Sequence, residues 1–528
     1  MRAIVRILVA TAVCGLLLAG CSKSSGGGGA SAGSGPAGST GGNVSRGGTL
    51  LVALDQNPKD FDPMVAGDAY SDAVVTNIVE GLYDYDENLK PVPWLAESVD
   101  LPDNLTYVFH LRKGIKFHDG TEMDADAVKF SVDRVRNSPK SPGFSDGKQV
   151  ADTIVVDKYT FKLTLSEPFA PLPSRLTGRL GGIVSPAAVK AMGDDGFNQH
   201  PVGTGPFRFG EFKSDSYVRV ERYDGYWRQG ADGKSLPYLD RVEWRVITEP
   251  AARLTALQAG DVHISSIRDQ DAPIVKKDGN LNYAQQAGRS FAGVMLTIDK
   301  PPFDNKALRQ AFQFAVDRKE IISAVYEGNR EVANGMIPPV LSWAIDPGYQ
   351  PYTYDPAKAK AKLLEGGKPN GFEFTIWGAA GNSITQQLLE LMQAQLAKVG
   401  IKMNIELADF NGVVVPKWKN RESNAYSIGI TGGVDPDQFV ASTFLMGDAF
   451  NFFPYDNPQV NDLIKQGRAT PDLESRAKIY KLMVPIIMDD SPYVFLTYGI
   501  DRYVGNKRVQ GWFLGSKATS GYSEFWLQ

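Results

Sequence analysis

The chain has 528 residues, with 60 acidic side chains against 56 basic ones and a formal charge of −4. That slightly negative balance, and the lack of any basic run, exclude the electrostatic footprint that nucleic acid requires. Cys14 and Cys21 are the two cysteines, too few for a disulfide framework or a zinc finger. Arg2 and Arg6 give the N-terminus a positive charge, and an apolar run follows over residues 7–18. A spanning helix needs roughly 20 apolar residues, so this run is too short to be one. Charged start, short apolar segment and small-residue ending together predict a secretory signal peptide over residues 1–20, with which Cys14 leaves. Residues 22–48 are nearly all Gly, Ser and Ala. Such a segment buries too little apolar surface to order itself and acts as a tether with a reach of roughly 30 Å.

Leu18-Ala19-Gly20-Cys21 resembles the bacterial lipobox. The alternative is an ordinary signal peptide with a chance cysteine. The lipobox reading implies that cleavage leaves Cys21 as a lipidated N-terminus. Each buried CH₂ contributes about 0.8 kcal/mol, and stable anchoring takes more than one chain. The expected location is the cell membrane, lipid-anchored on the extracytoplasmic face.

About 480 residues remain, more than one core accommodates, so two or three domains are expected. Strands and helices alternate along them. Thr49–Leu54 reads as an apolar strand. Residues 107–112 alternate, with Tyr107, Phe109 and Leu111 on one face. The turn Asp119-Gly120 follows, then a helix over about 124–136 that buries Val128, Val132 and Val135. Residues 153–156 and 160–165 read as a hairpin around Asp157-Lys158. A strand is expected over 241–247, and a helix over 251–259 that stops at Gly260. Farther on, Asn305 caps a long helix with Leu308, Phe312, Ala315, Ile322 and Val325 inward, ending near Gly328. Asp355-Pro356 opens another helix by cap and N1 proline. Ser383 opens a third, closing at Gly400, and a strand follows over 401–407. Thr470-Pro471 opens a fourth, which Pro485 is expected to kink or end. This is a mixed α/β pattern.

One stretch is specific: Thr106-Tyr107-Val108-Phe109-His110-Leu111-Arg112-Lys113-Gly114-Ile115-Lys116-Phe117-His118-Asp119-Gly120-Thr121, followed by the helix at 126–134. Phe61-Asp62-Pro63, Glu80-Gly81-Leu82-Tyr83, Pro201-Val202-Gly203-Thr204-Gly205-Pro206-Phe207, Tyr226-Trp227, Leu239-Asp240-Arg241-Val242, residues 307–318, Tyr354-Asp355-Pro356 and Tyr455-Asp456-Asn457-Pro458 follow a matching order. From Gly48 to the C-terminus the chain resembles the extracytoplasmic solute-binding proteins of ABC transporters, family 5, the oligopeptide, dipeptide and nickel-binding group. The resemblance implies a periplasmic-binding-protein-like α/β fold, two-lobed with a hinge and three domains (class II, cluster C type). One lobe would comprise 49–81, 200–270 and 498–528, with an inserted domain at 82–199. The other would comprise 271–497. A solute held between closing lobes and handed to membrane permease subunits is the implied function, with no cofactor and a monomeric chain.

The same resemblance suggests where the ligand sits. The loop after the Asp-Pro pair corresponds to Gly67, Asp68, Ala69 and Tyr70. An aromatic of the inserted domain corresponds to Phe144, whose alternative is a partly exposed loop ring. Peptide-binding members carry a Gly-Trp pair, an aspartate for the peptide α-ammonium, then Asp-Pro-Asp. Here the stretch runs Ile430-Thr431-Gly432-Gly433-Val434-Asp435-Pro436-Asp437. The tryptophan and the preceding aspartate are missing. Asp435 either substitutes for that aspartate or caps the following helix.

Catalytic motifs do not assemble. Gly143-Phe144-Ser145-Asp146-Gly147 fits the serine-hydrolase elbow in letters, but Ser138-Pro139-Lys140-Ser141-Pro142 before it is a loop, not a strand. His110, His118, His200 and His263 lack metal-ligand spacing. Gly203-Thr204-Gly205-Pro206 lacks the strand–turn–helix context of a dinucleotide site. The chain is therefore expected to be a binder of a peptide or other small solute (an oligosaccharide or metal chelate among them), and not an enzyme. A surface hydrolase and a solute-sensing lipoprotein are the competing readings.

Overall fold

Thr49–Leu54 pairs in parallel with Arg241–Val246, from Thr49 opposite Arg241 to Leu54 opposite Val246. This seam starts the first of two α/β lobes. The computed structural model describes residues 44–511 and 521–528, except Ala449. The expected signal peptide, Cys21 and most of the tether lie outside the described residues. No helix among the described residues is long and apolar enough to cross a membrane.

A single mixed sheet runs through both lobes. Its order is Lys402–Ala408, Glu373–Ala379, Ala425–Thr431, Leu281–Leu296, Tyr493–Asn506, Ile264–Ser265, Thr49–Leu54, Arg241–Val246, Tyr217–Arg222 and Phe207–Lys213, with Glu331–Val332 on the side. Leu281–Leu296 and Tyr493–Asn506 belong to both lobes. Their outer halves pair from Leu281 opposite Asn506 to Ala287 opposite Ile500, beside first-lobe Ile264. Their inner halves pair from Phe291 opposite Tyr498 to Met295 opposite Tyr493, beside Ala425–Thr431. Between these halves, Gly288, Arg289 and Ser290 face Gly499 alone, and the register is lost. A Cβ on Gly499 would lie 2.3 Å from Ser290 Oγ, and one on Gly288 would lie 2.8 Å from the Gly499 backbone. Close backbone approach therefore requires glycine at 288, and the Ser290 side chain fills the space beside Gly499, at the point where the lobes join.

Strand alternation sorts the second lobe into two cores. Phe291, Met295, Tyr426, Ile428, Tyr493 and Phe495 face one helical layer with Phe439 and Phe444. Val294, Leu296, Ala425, Val494 and Leu496 face the other, with Leu308, Phe312 and Leu389. Both faces of this sheet are covered, so its strands read as continuous apolar runs rather than as alternating ones. The first lobe has its own core around Leu50, Val52, Ile78, Phe207, Val242 and Trp244, joined by Phe525 near the C-terminus. A separate four-stranded sheet between them in sequence carries Tyr107, Phe109, Leu111, Phe161 and Leu163 against Val128, Val132 and Val135.

Most local expectations hold. Thr49–Leu54, Thr106–Leu111 and Thr160–Leu165 are strands, and Val150–Asp157 begins earlier than expected. Asp124 caps Ala125–Arg136 by accepting from Ala127 N–H, and Asp355 caps Pro356–Glu365. Gly260 ends Pro250–Ala259 with φ at +82°. Two expectations need correction. The helix from Asn305 breaks into Lys306–Ala315 and Arg318–Tyr326. Asp317 caps the second piece through Lys319 and Glu320 N–H, while its own N–H goes to Gln395 and buried Arg318 ties to the Phe495 carbonyl. These tertiary bonds replace the intrahelical ones. Nor does Pro485 end its helix, which runs over Leu473–Asp490 behind an Asp472 cap. An interior proline costs about 3 kcal/mol. Burial of Ile487 and Met488 beyond it offsets this at roughly 1.5–3 kcal/mol per side chain.

Candidate functional site

A cavity of about 500 Å³ lies where the first lobe meets the hinge. Its wall is built by the helix Ala69–Val75, the following segment through Tyr85, Trp94, the turn at 177–182 and the C-terminal segment 521–525. Arg289 of the hinge closes one side.

Glu80 anchors the wall. Its buried carboxylate accepts from Trp94 Nε1 at 2.8 Å, Tyr226 OH at 2.7 Å, Thr204 Oγ1 at 2.8 Å and Trp227 Nε1 at 3.1 Å. Burial pushes its carboxyl up, and the four donors pull the other way. Indole N–H groups only donate, so the network fits the ionised form and locks four segments together. Tyr226, beside that carboxylate, has its phenol pushed well up by burial. The sequence Glu80-Gly81-Leu82-Tyr83 and the Gly203-Thr204-Gly205 turn thus meet here. Gly203 and Gly205 pack so close to the backbone at Asn77-Ile78 that a Cβ would come within 2.1 Å of the Ile78 oxygen and 2.6 Å of the Asn77 oxygen.

Arginines set the electrostatics. Arg179 Nη2 lies 2.7 Å from Asp72, and its Nε donates to the Ala66 carbonyl. Arg228 Nη2 lies 2.6 Å from Glu524, with its guanidinium 4.7 Å from the Trp94 ring centre. Asp72 is pushed up by burial and by Asp68, against the pull of Arg179.

The residues expected at the ligand divide into groups. Asp68 caps Ala69–Val75, accepting from Tyr70 and Ser71 N–H at 3.0 Å, and so positions Ala69 in the cavity wall. Gly67 packs on Pro142, and Tyr70 packs on the first-lobe core with its hydroxyl pushed up to about 12 by burial and Asp55. Phe144 starts a 3₁₀ turn, Phe144–Gly147, partly buried and outside the cavity lining. The adjacent Ser145 therefore has neither the strand nor the helix of a nucleophile elbow. Ile430 is core, whereas Thr431 pairs with Ser290, and Gly432 N–H donates to the Arg289 carbonyl at 3.0 Å. Gly433 packs against Gln438. These four residues back the hinge at Arg289. Asp435 turns into the second lobe: its Oδ1 accepts from Asp437 N–H just before the helix Asp437–Phe444, and both oxygens hold Arg476, at 2.9 and 2.8 Å. Both of these side chains are 5% exposed.

The lobes also touch beyond the cavity. Arg175 reaches Asp437 at 3.2 Å and Asp146 at 3.1 Å, and Ala170 N–H donates to the Arg468 carbonyl at 2.6 Å. Tyr85 and Leu89 pack against the second-lobe core. Sequence reading placed 498–528 in the first lobe but did not name Arg289, Arg179, Arg228 or residues 521–525 as cavity lining. No local signal marks these arginines as cleft residues, whereas Pro63, Glu80, Gly81, Tyr83, Pro206 and Tyr226 of the lining lay in recognised segments.

A profile of bacterial extracellular solute-binding proteins, family 5, middle region, matches residues 90–452. A glutathione-binding protein, GsiB, from Salmonella paratyphi A is 32% identical over 458 residues, covering 84% of this chain and 88% of its own. Among solved structures, the ABC transporter-associated periplasmic binding protein DppA from Helicobacter pylori, in complex with the peptide STSA, superposes with a TM-score of 0.78 at 26% identity, covering 92% of this chain and 98% of its own. HbpA2 from Haemophilus parasuis superposes with a TM-score of 0.80 at 27% identity, covering 91% and 100%.

Proposed function

Because the chain belongs to the family 5 bacterial extracellular solute-binding proteins, we propose that it is the solute-capturing component of an ABC importer, taking up a peptide-like solute of about glutathione to tetrapeptide size. One observation carries this reading. The cavity of about 500 Å³ lies at a two-strand hinge whose glycines bring the backbones together between two separately packed lobes. Rotation there changes the distance between the first-lobe wall and the facing second lobe, and it separates Tyr85 and Leu89 from the second-lobe core they pack on. A solute that touches both walls when they close selects the closed form by its differential affinity, and the permease reads that form. The lobe limits are taken as 49–81, 200–270 and 498–528 with the insert 82–199, against 271–497. The Cys21 lipid holds a monomeric chain at the membrane. Apart from Arg289, the cleft charges among the described residues are paired or hydrogen-bonded for structure, which favours binding over hydrolysis.

The test is native mass spectrometry of the full chain purified in detergent, followed by calorimetric titration with glutathione, tripeptides and nickel–histidine. Saturable binding of at least one peptide-like solute is expected. Equal affinity for a free and an N-acetylated tripeptide is expected too, since the usual ammonium-binding aspartate is missing. Binding of the nickel chelate alone would shift the reading to metal uptake, and saturable hydrolysis would replace it. Incorporation of labelled palmitate that is lost in Cys21→Ser tests the anchor.

A further inference from the structure

Seven charged side chains line the cavity among the described residues: Asp72, Glu80, Asp84, Glu524, Arg179, Arg228 and Arg289. Arg179 is matched by Asp72 and Arg228 by Glu524, each at hydrogen-bond distance. Glu80 is filled by its four donors, and Asp84 accepts from Tyr85 N–H besides having a further partner. Arg289 differs. Its carboxylate neighbour is Asp501, with Nε to Oδ2 at 3.9 Å, beyond hydrogen-bond reach, and 34% of its side chain is exposed. A guanidinium is a planar fork of five donors, suited to holding a carboxylate by two parallel bonds. Here the fork borders a cavity, and among the described residues its side chain makes no hydrogen bond.

Its place in the fold adds a second reason. Arg289 is the middle residue of the three-residue segment that faces Gly499 where the hinge strands lose register. Its carbonyl is held by Gly432 N–H of the second lobe, while its side chain borders the first-lobe wall. A group bound to this guanidinium therefore sits at the pivot, within reach of both lobes in any degree of closure.

We propose that Arg289 is the anion-recognition residue of the cleft, and that the solute carries a carboxylate which docks on this guanidinium at the hinge. The proposal rests on the solute-binding reading and narrows it to anionic or zwitterionic solutes with a free carboxylate. Asp501 is a positioning residue: a loose pair aims the guanidinium without using up its donors. Replacing the carboxylate by an amide or ester removes one partner of a charge-assisted pair and leaves the arginine unmatched inside a closed cleft.

The test titrates the full chain with four probes: glutathione, its diethyl ester with both carboxylates masked, the peptide Ser-Thr-Ser-Ala and that peptide's C-terminal amide. Wild-type protein is expected to bind a free acid about 10–100-fold more tightly than its neutral counterpart. Arg289→Gln is expected to bind acid and neutral forms alike, with an unfolding temperature close to wild type. Arg289→Lys should restore part of the preference, and it decides the matter if Arg289→Gln fails to fold. Equal binding of acid and neutral forms by wild type, or an acid preference that survives in Arg289→Gln, overturns the proposal and leaves the solute-binding reading in place. Failure of wild type to bind any of the four overturns the peptide reading itself, and the proposal with it.

Discussion

Replacing Asp435 by alanine should destabilise the second lobe rather than act first on ligand affinity. The wild-type carboxylate makes two bonds to Arg476, at 2.9 and 2.8 Å, with both side chains 5% exposed. Arg476 keeps Tyr480 OH at 2.8 Å and the Gly467 carbonyl at 3.0 Å after the change. It loses its counterion, however, and a buried charge left alone costs about 3–5 kcal/mol. The lost bond to Asp437 N–H adds about 1 kcal/mol. For a lobe of roughly 200 residues, 1 kcal/mol moves the midpoint by about 2–4 °C, so a fall on the order of 10 °C is expected. Scanning calorimetry of the full chain, with and without glutathione, reads it as a shift of the second-lobe transition. Asp435→Ala/Arg476→Met removes the stranded charge and should recover most of the loss, giving a large coupling term in the double-mutant cycle. An unchanged midpoint in Asp435→Ala together with lost solute binding would refute this, because the carboxylate would then belong to the ligand.

Arg175→Ala cuts the inter-lobe bond to Asp437, while Arg468 Nε, at 2.7 Å, still neutralises that aspartate. Closure should lose about 1.5–3 kcal/mol, raising the solute Kd about 10–100-fold in calorimetry, while the lost pair with Asp146 lowers the first-lobe melting and leaves that of the second lobe unchanged. Gly288→Ala places a Cβ 2.8 Å from the Gly499 backbone and should displace the hinge at a cost of about 1–3 kcal/mol, seen as a wider mean shape in small-angle scattering with solute bound. His118 is partly buried, and burial lowers its pKa to about 4. Its Nδ1 faces Gly203 N–H at 3.4 Å, so a proton there has no acceptor, while Nε2 lies 2.9 Å from the Gly205 carbonyl. The unfolded chain binds this proton from about pH 6.5 downward and the folded chain does so only near pH 4. Stability from this residue is therefore complete above pH 6.5 and falls across that window by up to about 3 kcal/mol; denaturation profiles of wild type and His118→Gln should diverge there.

What the sequence determined by itself was local. Caps, N1 prolines and the periods of 2 and 3.6 residues located Thr49–Leu54, Ala125–Arg136 and Pro356–Glu365, because these depend on neighbours within one or two turns. The signature around Thr106–Leu111 carried the family, and with it the two-lobed fold. The break at Val316-Asp317 and the passage of a helix through Pro485 were not legible. Both are decided by partners far along the chain, such as Gln395, Phe495 and the second-lobe core. The cleft shows the same division more sharply. Asp68 was expected as a ligand contact and proves to cap Ala69–Val75, and Arg289 became a cleft residue only when Leu281–Leu296 paired with a strand some 200 positions away and lost register at Gly499. Strand register and the matching of charges are properties of pairs, and only the folded chain brings the members of those pairs together.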